Sequence, residues 1–194
     1  MTGTRHAGGG ESSGSSAEVV VSRPDDLAMA QACAVGDAAA FERIYHRYGD
    51  RMKSVAFNHL GNRSDAEDAV QETFLKVHRS ASTYTGESSF VTWLYRVLIN
   101  TCYDVMRKRG RRIEELPVDR LDFPAVSPDV PRQMMLRLLL DELPELRRSV
   151  FVLFEVEGLS HKEIAEVLSI KETYSKWLLF MTRRDLQQRW ESAT

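Results

Sequence analysis

The chain has 194 residues, 43% of them hydrophobic, which is enough apolar material for one large core or two small ones. Its formal net charge of −2 excludes a uniformly basic protein, although a basic surface confined to one segment stays possible. No stretch approaches the ~18 apolar residues of a membrane span, and the chain does not start with a charged segment followed by an apolar run. We therefore expect a cytoplasmic protein with no membrane insertion of its own.

The first 112 residues divide into a tail and a helical module. Residues 1–24 are polar and glycine-rich, so burial cannot offset the entropy of ordering them, and we expect a disordered tail. From 25 to 112, apolar side chains recur at helical spacing in successive stretches, which predicts packed helices. The last of these helices would begin at an N-cap, Ser88 or Ser89, and Trp93 lies in its apolar stripe, so we interpret Trp93 as a core residue.

A basic segment and an acidic segment then follow one another directly. Positions 107–112 hold five cations, here called the basic block, whereas residues 113–131 are acidic and contain four prolines. About twenty residues without a helical pattern are longer than a connection inside a compact domain, so the sequence predicts a linker between two modules at 113–131.

Residues 132–194 predict a second helical module that ends in a helix-turn-helix. Ser160 and Glu163 form a capping-box pattern, Ala165 is small enough for two helices to cross closely, and the turn falls at Ser169. Basic residues on the last helix suit a nucleic-acid partner. A plain pair of antiparallel helices is the alternative.

The second helical stretch of the first module carries an acidic outer face. Its apolar stripe leaves Asp68, Gln71 and Glu72 on one side, and Ser64 with Glu67 would cap its beginning. From composition alone this face is either merely solvated or a docking surface for a basic partner.

The long third helix carries a polar face opposite Trp93. Amide, aromatic and cationic side chains recur there, next to the polar loop 84–90, and could hold unstacked bases along a positive track. The residues on this face are Thr92, Arg96, Asn100, Tyr103, Asp104 and Arg107.

Catalytic and metal-binding patterns are missing from the sequence. The five histidines are scattered, and no E-x-x-H, H-x-x-x-H, G-x-S-x-G or P-loop pattern occurs, so we expect no catalytic residue, metal or cofactor. Cys33 and Cys102 are far apart in apolar surroundings, which favours buried reduced thiols. The classes still open are a factor that binds DNA and a large protein partner, a conventional helix-turn-helix regulator that binds duplex DNA alone, and a helical metal enzyme.

Four segments in this order resemble a bacterial RNA polymerase sigma factor of the extracytoplasmic-function (ECF) group. They are AFERIYHRY, DAEDAVQETFLKVHR, YTGESSFVTWLYRVLINTCYDVMRKRGRR and ELPELRRSVFVLFEVEGLSHKEIAEVLSI. The resemblance implies an all-α fold in which a sigma region-two bundle and a region-four helix-turn-helix are joined by a flexible linker. It also implies a non-enzymatic factor that recognises promoter DNA, helps to melt it and so regulates transcription initiation.

The resemblance further implies partners and site residues. The partners would be core RNA polymerase, through its β′ and β subunits, promoter DNA and an anti-sigma factor. Polymerase binding would fall on Asp68, Gln71 and Glu72. Binding of the minus-ten element would fall on Ser88, Ser89, Arg96, Asn100, Asp104, Arg107, Lys108, Arg109, Arg111 and Arg112. Binding of the minus-thirty-five element would fall on Lys171, Tyr174, Lys176, Trp177, Phe180, Met181, Arg183 and Arg184.

The last helix departs from the family pattern. Where relatives carry arginines on the groove-facing surface, this chain has Leu178 and Met181, with Trp177 and Phe180 nearby, and Ser169 replaces a usual turn glycine. Such a surface would read bases through apolar contacts such as thymine methyls, or would be covered by an anti-sigma partner.

Overall fold

The computed structural model describes residues 23–114 and 132–193. The predicted tail, apart from its last two residues, and the predicted linker beyond residue 114 lie outside this part of the chain. Within the described residues the structure contains α-helices and one 3-10 helix, and no strand. The all-α prediction is confirmed.

The N-terminal module consists of four α-helices. They are α1 (Arg23–Ala34), α2 (Ala38–Leu60), α3 (Arg63–Ser80) and α4 (Phe90–Glu114), with the 3-10 helix Ala81–Thr83 after α3. Because α4 continues to Glu114, the basic block forms the final turns of this helix rather than the start of a loop. A positive segment is therefore held on a rigid element.

The C-terminal module also has four helices. They are α5 (Arg132–Asp141), α6 (Glu145–Glu155), α7 (His161–Leu168) and α8 (Glu172–Ala193). The predicted capping box is present at the start of α7, where the Ser160 hydroxyl accepts from the Glu163 amide and the Glu163 carboxylate accepts from the Ser160 amide. Helices α7 and α8 form the helix-turn-helix.

Side-chain caps fix where two helices of the N-terminal module begin. Ser89 caps α4, since its hydroxyl accepts a hydrogen bond from the Thr92 amide at 3.1 Å. The predicted Ser64 cap of α3 is wrong: Asn62 is the N-cap, and its side chain accepts from the Asp65 amide. Asn62 is as good a capping residue as serine, and the helix starts two residues earlier than the pattern indicated.

The hydrophobic core runs without interruption from one module into the other. Buried side chains of α2 and α4, such as Tyr48 and Leu98, belong to the same apolar cluster as Leu153 of α6 and Ile164 of α7. A smaller cluster around Leu139 and Leu186 is confined to the C-terminal module. The two modules therefore pack directly against each other, an arrangement that the helical periodicity does not specify.

Candidate functional site

Three side chains form the acidic surface of α3. Asp68, Gln71 and Glu72 are all exposed, opposite the buried stripe that includes Ala69 and Val70. Leu75, which the sequence pattern did not single out, lies one turn further along and is 50% exposed. An exposed acidic surface of this kind is complementary to a basic partner.

Neighbouring carboxylates on α3 differ from this surface because they have cationic partners in the chain. Glu67 pairs with Arg63 at 3.1 Å, and Asp65 pairs with Arg109 from α4. Among the described residues, no cation forms an ion pair with Asp68 or Glu72. Their charge is therefore available to a partner outside the chain.

The polar face of α4 is partly as predicted. Asn100 is exposed, whereas Asp104 is held between Lys76, at 3.3 Å, and Arg107, at 2.7 Å. Two expected members of this face are elsewhere. Thr92 is buried, and the Tyr103 hydroxyl lies 2.6 Å from the Ser149 hydroxyl of α6.

The basic block has both exposed and anchored side chains. Arg107 and Lys108 are exposed. Arg109 donates a hydrogen bond to the Leu60 carbonyl at 2.7 Å, so it joins α4 to the end of α2. The side chains of Arg111 and Arg112 lie outside the described part of the chain.

A cleft of about 370 Å³ opens between the loop after the 3-10 helix and the start of α4. Tyr84 and Trp93 are among its lining residues, with their rings 5.6 Å apart, and Ser88 lies beside them. The Tyr84 hydroxyl donates to the Ser88 carbonyl at 2.7 Å, which fixes the loop. Trp93 thus packs against the core, as predicted, and also forms a wall of the cleft.

Arg96 lies at the mouth of the cleft and points towards the C-terminal module. Its Nε and a terminal nitrogen donate to the Glu166 carbonyl of α7 at 3.1 Å and 2.5 Å. Glu166 itself lines the cleft. The cleft is thus built from both modules.

The outer face of α8 is an aromatic stripe. Tyr174 and Trp177 are stacked with their ring centroids 5.7 Å apart, and Phe180 is 63% exposed. Met181 is half-buried. The prediction that Leu178 faces a groove is wrong, because Leu178 is only 3% exposed and packs in the core, one helical position away from the stripe.

The cations of α8 lie around this stripe in internal ion pairs. Lys176 contacts Glu172 at 2.6 Å, and Arg183 contacts Glu155 of α6 at 2.6 Å. Arg184 lies 3.9 Å from Asp185. Lys171 is exposed at the turn before the helix. Three of these four cations are thus paired with carboxylates beside the exposed aromatic rings.

The described residues contain no metal-binding cluster and no activated thiol. They include no cluster of histidine, cysteine and carboxylate side chains that could hold a metal ion. Cys33 and Cys102 are free and buried, and burial raises their pKa values to about 11 and about 12. Thiols with such pKa values are poor nucleophiles at neutral pH. Among the described helices, none combines the length and the hydrophobicity of a membrane span.

A helix-turn-helix packed on a helical bundle that carries a basic-ended helix and an acidic surface defines a DNA-binding transcription protein. The sequence matches the family models Sigma-70 region 2 over residues 44–112 and Sigma-70, region 4 over residues 133–186. These ranges fall on the two modules.

Curated relatives give the family. The chain is 39% identical over 150 residues to the ECF RNA polymerase sigma factor SigE of Mycolicibacterium smegmatis, a match that spans 71% of this chain and 58% of that protein. It is 30% identical over 179 residues to the ECF RNA polymerase sigma-E factor of Haemophilus influenzae, spanning 84% of this chain and 94% of that protein. The chain belongs to the ECF sigma factor family.

Solved structures agree on the fold. CnrH in complex with the cytosolic domain of CnrY has a TM-score of 0.69 at 23% identity, covering 87% of this chain and 99% of that one. The sigma factor RpoE of Bartonella quintana, in complex with the anti-sigma factor NepR, has a TM-score of 0.63 at 21% identity, covering 76% and 94%.

Family membership decides between the classes that the sequence left open. The protein is a sigma factor, which binds core RNA polymerase and promoter DNA to start transcription, and not a regulator that binds duplex DNA without replacing a sigma subunit. Sigma factors are non-enzymatic initiation factors.

Proposed function

We propose that the acidic surface of α3 docks this sigma factor on the β′ subunit of core RNA polymerase. The observation that carries the proposal is that Asp68 and Glu72 are exposed without an ion-pair partner among the described residues, whereas Asp65 and Glu67 beside them are paired. Exposed charge on a rigid helix steers association and fixes its register. Leu75 adds an apolar contact at the end of the surface.

The minus-ten element binds along α4 and its cleft. A melted strand needs stacking partners and a positive track, and the cleft offers Trp93 and Tyr84 while the exposed Arg107 and Lys108 lie further along the helix. Exposed Asn100 lies between these two parts, with hydrogen-bonding atoms for a base edge. The remaining members of this proposed site are Ser88, Ser89, Arg96, Asp104, Arg109, Arg111 and Arg112.

The minus-thirty-five element binds the outer face of α8. Trp177 and Phe180 give this face apolar contacts for thymine methyl groups, and Lys171 and Lys176 lie where phosphates would pass. Tyr174, Met181, Arg183 and Arg184 complete the proposed surface. An anti-sigma factor is a further proposed partner, supported by the fact that similar structures were solved with such proteins bound.

The proposed role needs no catalytic residue, metal or cofactor, and it places the protein in the cytoplasm with its polymerase. We keep the domain division of a tail at 1–24, a region-two domain at 25–112, a linker at 113–131 and a region-four domain at 132–194. The matches at 44–112 and 133–186 support the two domain ranges.

The test is a pull-down with purified core RNA polymerase, followed by run-off transcription on a pool of promoter fragments. We expect stable binding and new, sequence-selective start sites. Absence of binding to core enzyme, together with tight binding of duplex DNA by the protein alone, would overturn the proposal.

Two variants separate polymerase docking from promoter opening. The double variant Asp68→Ala and Glu72→Ala should weaken binding to core enzyme without unfolding the protein, because both side chains point outward. Asn100→Ala should impair opening, read by permanganate reactivity of the melted strand, while core binding is kept. Glu42→Ala with Asp50→Ala, two exposed carboxylates on α2, is the matched control that should change neither. If the first variant binds core RNA polymerase as tightly as the wild type, the acidic surface of α3 is not the docking surface.

A further inference from the structure

His161, the first residue of α7, is held by the two neighbouring helices of its own module. Its ring stacks on Phe154 of α6, with the ring centroids 4.7 Å apart and the ring planes at 26°. Its Nδ1 lies 3.0 Å from the hydroxyl oxygen of Ser175 on α8, a residue that is fully buried. The imidazole of the half-buried His161 therefore has a fixed plane and one anchored nitrogen.

The second ring nitrogen, Nε2, is available to a partner outside the chain. His161 forms no hydrogen bond through Nε2 with any residue that the structure describes. When the Ser175 hydroxyl donates to Nδ1, the neutral ring carries its proton on Nε2, so this nitrogen is a donor. Protonation of the ring keeps Nε2 a donor and adds a positive charge. A negatively charged acceptor therefore fits both forms of the ring, and it binds the charged form more strongly.

His161 lies beside the proposed minus-thirty-five surface. Its partner Ser175 stands between Tyr174 and Lys176, which both belong to that surface. Arg183, another member, lies over the same Phe154 ring, with its guanidinium carbon 5.3 Å from the ring centroid. In a helix-turn-helix on DNA, the second helix lies in the major groove while the first crosses the phosphate backbone. The first helix is here α7, and His161 begins it.

We propose that Nε2 of His161 donates a hydrogen bond to a backbone phosphate of minus-thirty-five DNA, so that promoter binding is coupled to the uptake of a proton. The inference rests on the proposed minus-thirty-five surface of α8. A phosphate beside an imidazole favours the protonated ring and raises its pKa in the complex. Proton binding and DNA binding then strengthen each other. The DNA affinity should rise as the pH falls below the pKa that His161 has in the complex, by at most about tenfold per pH unit.

The surroundings of His161 favour a neutral ring in the free protein. Burial and the charge of Lys176 lower the pKa of His161, Glu172 raises it, and Arg183 lowers it further. Lys162 is its neighbour on α7. The helices packed on α7 bring these charged side chains to it: Glu172, Lys176 and Arg183 from α8, Glu155 from α6 and, towards its other end, Arg96 from α4. Because its pKa is lowered in the free protein, the ring has a proton to gain when a phosphate binds.

The pH dependence of promoter binding by the holoenzyme tests the proposal. The full chain with core RNA polymerase is titrated with a fluorescent duplex, an upstream fragment of the most active promoter of the run-off pool that ends before the minus-ten element. His161→Gln keeps an N–H donor but cannot be protonated. We expect this variant to bind within about twofold of the wild type at pH 8 and about tenfold more weakly at pH 6. The same ratio of affinities at both pH values would overturn the proposal.

Two further variants separate a contact with DNA from a role in folding. His161→Phe keeps a ring on Phe154 but removes both nitrogens, so it should bind about tenfold more weakly than the wild type even at pH 8. It replaces His161→Gln in the test if that variant fails to fold by circular dichroism, and a pH profile parallel to that of the wild type would again overturn the proposal. His46→Gln makes the same change at an exposed histidine of α2 and should keep the wild-type profile. Comparison with the wild type cancels the titration of the polymerase itself.

Failure of the inference and failure of the minus-thirty-five surface give different results. If the surface is right but His161 does not contact DNA, Trp177→Ala weakens binding of the fragment while His161→Gln keeps the wild-type pH profile. If the surface is wrong, Trp177→Ala binds the fragment as tightly as the wild type, and the inference falls with it.

Discussion

His59 is a histidine that the fold holds neutral where the two modules meet. It is 2% exposed, and burial, with the charges of Arg148 and Arg137, lowers its pKa from 6.5 to about 3. No described residue hydrogen-bonds its Nε2. Below pH 6.5 the imidazole of His59 becomes protonated in the unfolded chain but stays neutral in the folded chain. The contribution of His59 to stability is therefore present above pH 6.5 and is lost as the pH falls towards about 3.

Replacement of His59 should therefore reduce the loss of folding stability below pH 6.5. We expect the unfolding equilibrium constant of the wild type to rise by up to about tenfold per pH unit below 6.5 through this one group. His59→Leu should lose that dependence, as measured by urea unfolding at pH 5, 6 and 7. His46, 75% exposed, gives the matched control His46→Leu. An acid limb equally steep in all three proteins would contradict the assignment.

Residue-level prediction from the sequence worked where a local pattern decides the outcome. Asp68 and Glu72 are exposed because the helical period that buries Ala69 and Val70 places them outside. Thr92 and Tyr103 were misplaced for another reason. The hydroxyl of Thr92 closes the Ser89 cap, and Tyr103 faces a helix of the other module. Neither partner can be read from periodicity within α4.

The turn of the helix-turn-helix is an element with backbone strain. Ser169 ends α7 with φ at 55°, the left-handed region, and no other non-glycine residue of the described chain has a positive φ. Gly158, after α6, has φ at 71°, and no atom lies within 4 Å of the place that a Cβ would take there. Ser169, which is strained in the left-handed conformation, and Gly158, which is not, thus both adopt it in the C-terminal module.

Exchanging these residues should move stability in opposite directions. Ser169→Gly should stabilise the module by about 1 kcal/mol, and Gly158→Ala should destabilise it by about the same amount, because only the backbone penalty changes. Thermal unfolding followed by circular dichroism should show shifts of a few degrees, up for the first variant and down for the second. A lower melting temperature for Ser169→Gly would show that the serine side chain outweighs the strain.

Adjacent residues of α8 should separate recognition from folding. Trp177 is 53% exposed and Leu178 is 3% exposed, so Trp177→Ala should change stability by less than about 0.5 kcal/mol while reducing transcription from promoters with a minus-thirty-five element. Leu178→Ala should cost about 2–5 kcal/mol of folding free energy. Urea unfolding and run-off transcription of both variants check this. Normal promoter selection by Trp177→Ala would show that the aromatic stripe is not part of the DNA-binding surface.

At the scale of the whole molecule, the sequence predicts the modules but not how they meet. Caps, turn residues and apolar stripes are local, and they place the helices to within a few residues. The contact of Arg96 with Glu166, and of Tyr95 with Glu157, joins positions about sixty to seventy residues apart. Such pairs depend on how two folded modules pack against each other, and the hydrophobic periodicity of a single helix does not specify this packing. The acidic surface was therefore predictable, and the shared cleft was not.

Glu157 provides a test of how the two modules pack, because its buried negative charge disfavours the packing. Burial raises the pKa of this carboxyl above its usual 4.5, although the Tyr95 hydroxyl and Arg51 favour the charged form. Closing the modules thus desolvates a carboxylate without full compensation. As pH falls through the raised pKa, the protonated form relieves this cost, so acidification favours the packed arrangement of the modules through Glu157.

Glu157→Gln should stabilise the packed arrangement of the two modules. The amide oxygen can still accept from Tyr95, and Arg51 keeps its hydrogen bond to the Glu157 backbone carbonyl, at 3.1 Å in the wild type. We expect more Förster transfer at pH 7 between dyes on Arg79→Cys of α3 and Gln188→Cys of α8, two exposed positions, with a difference from wild type that shrinks towards pH 4.5. Comparing the two proteins cancels the titration of His59, which both contain. Glu142→Gln, which removes a carboxylate paired with Arg189 inside the C-terminal module, should leave transfer unchanged. Lower transfer in Glu157→Gln would instead mean that the ion pair holds the modules together.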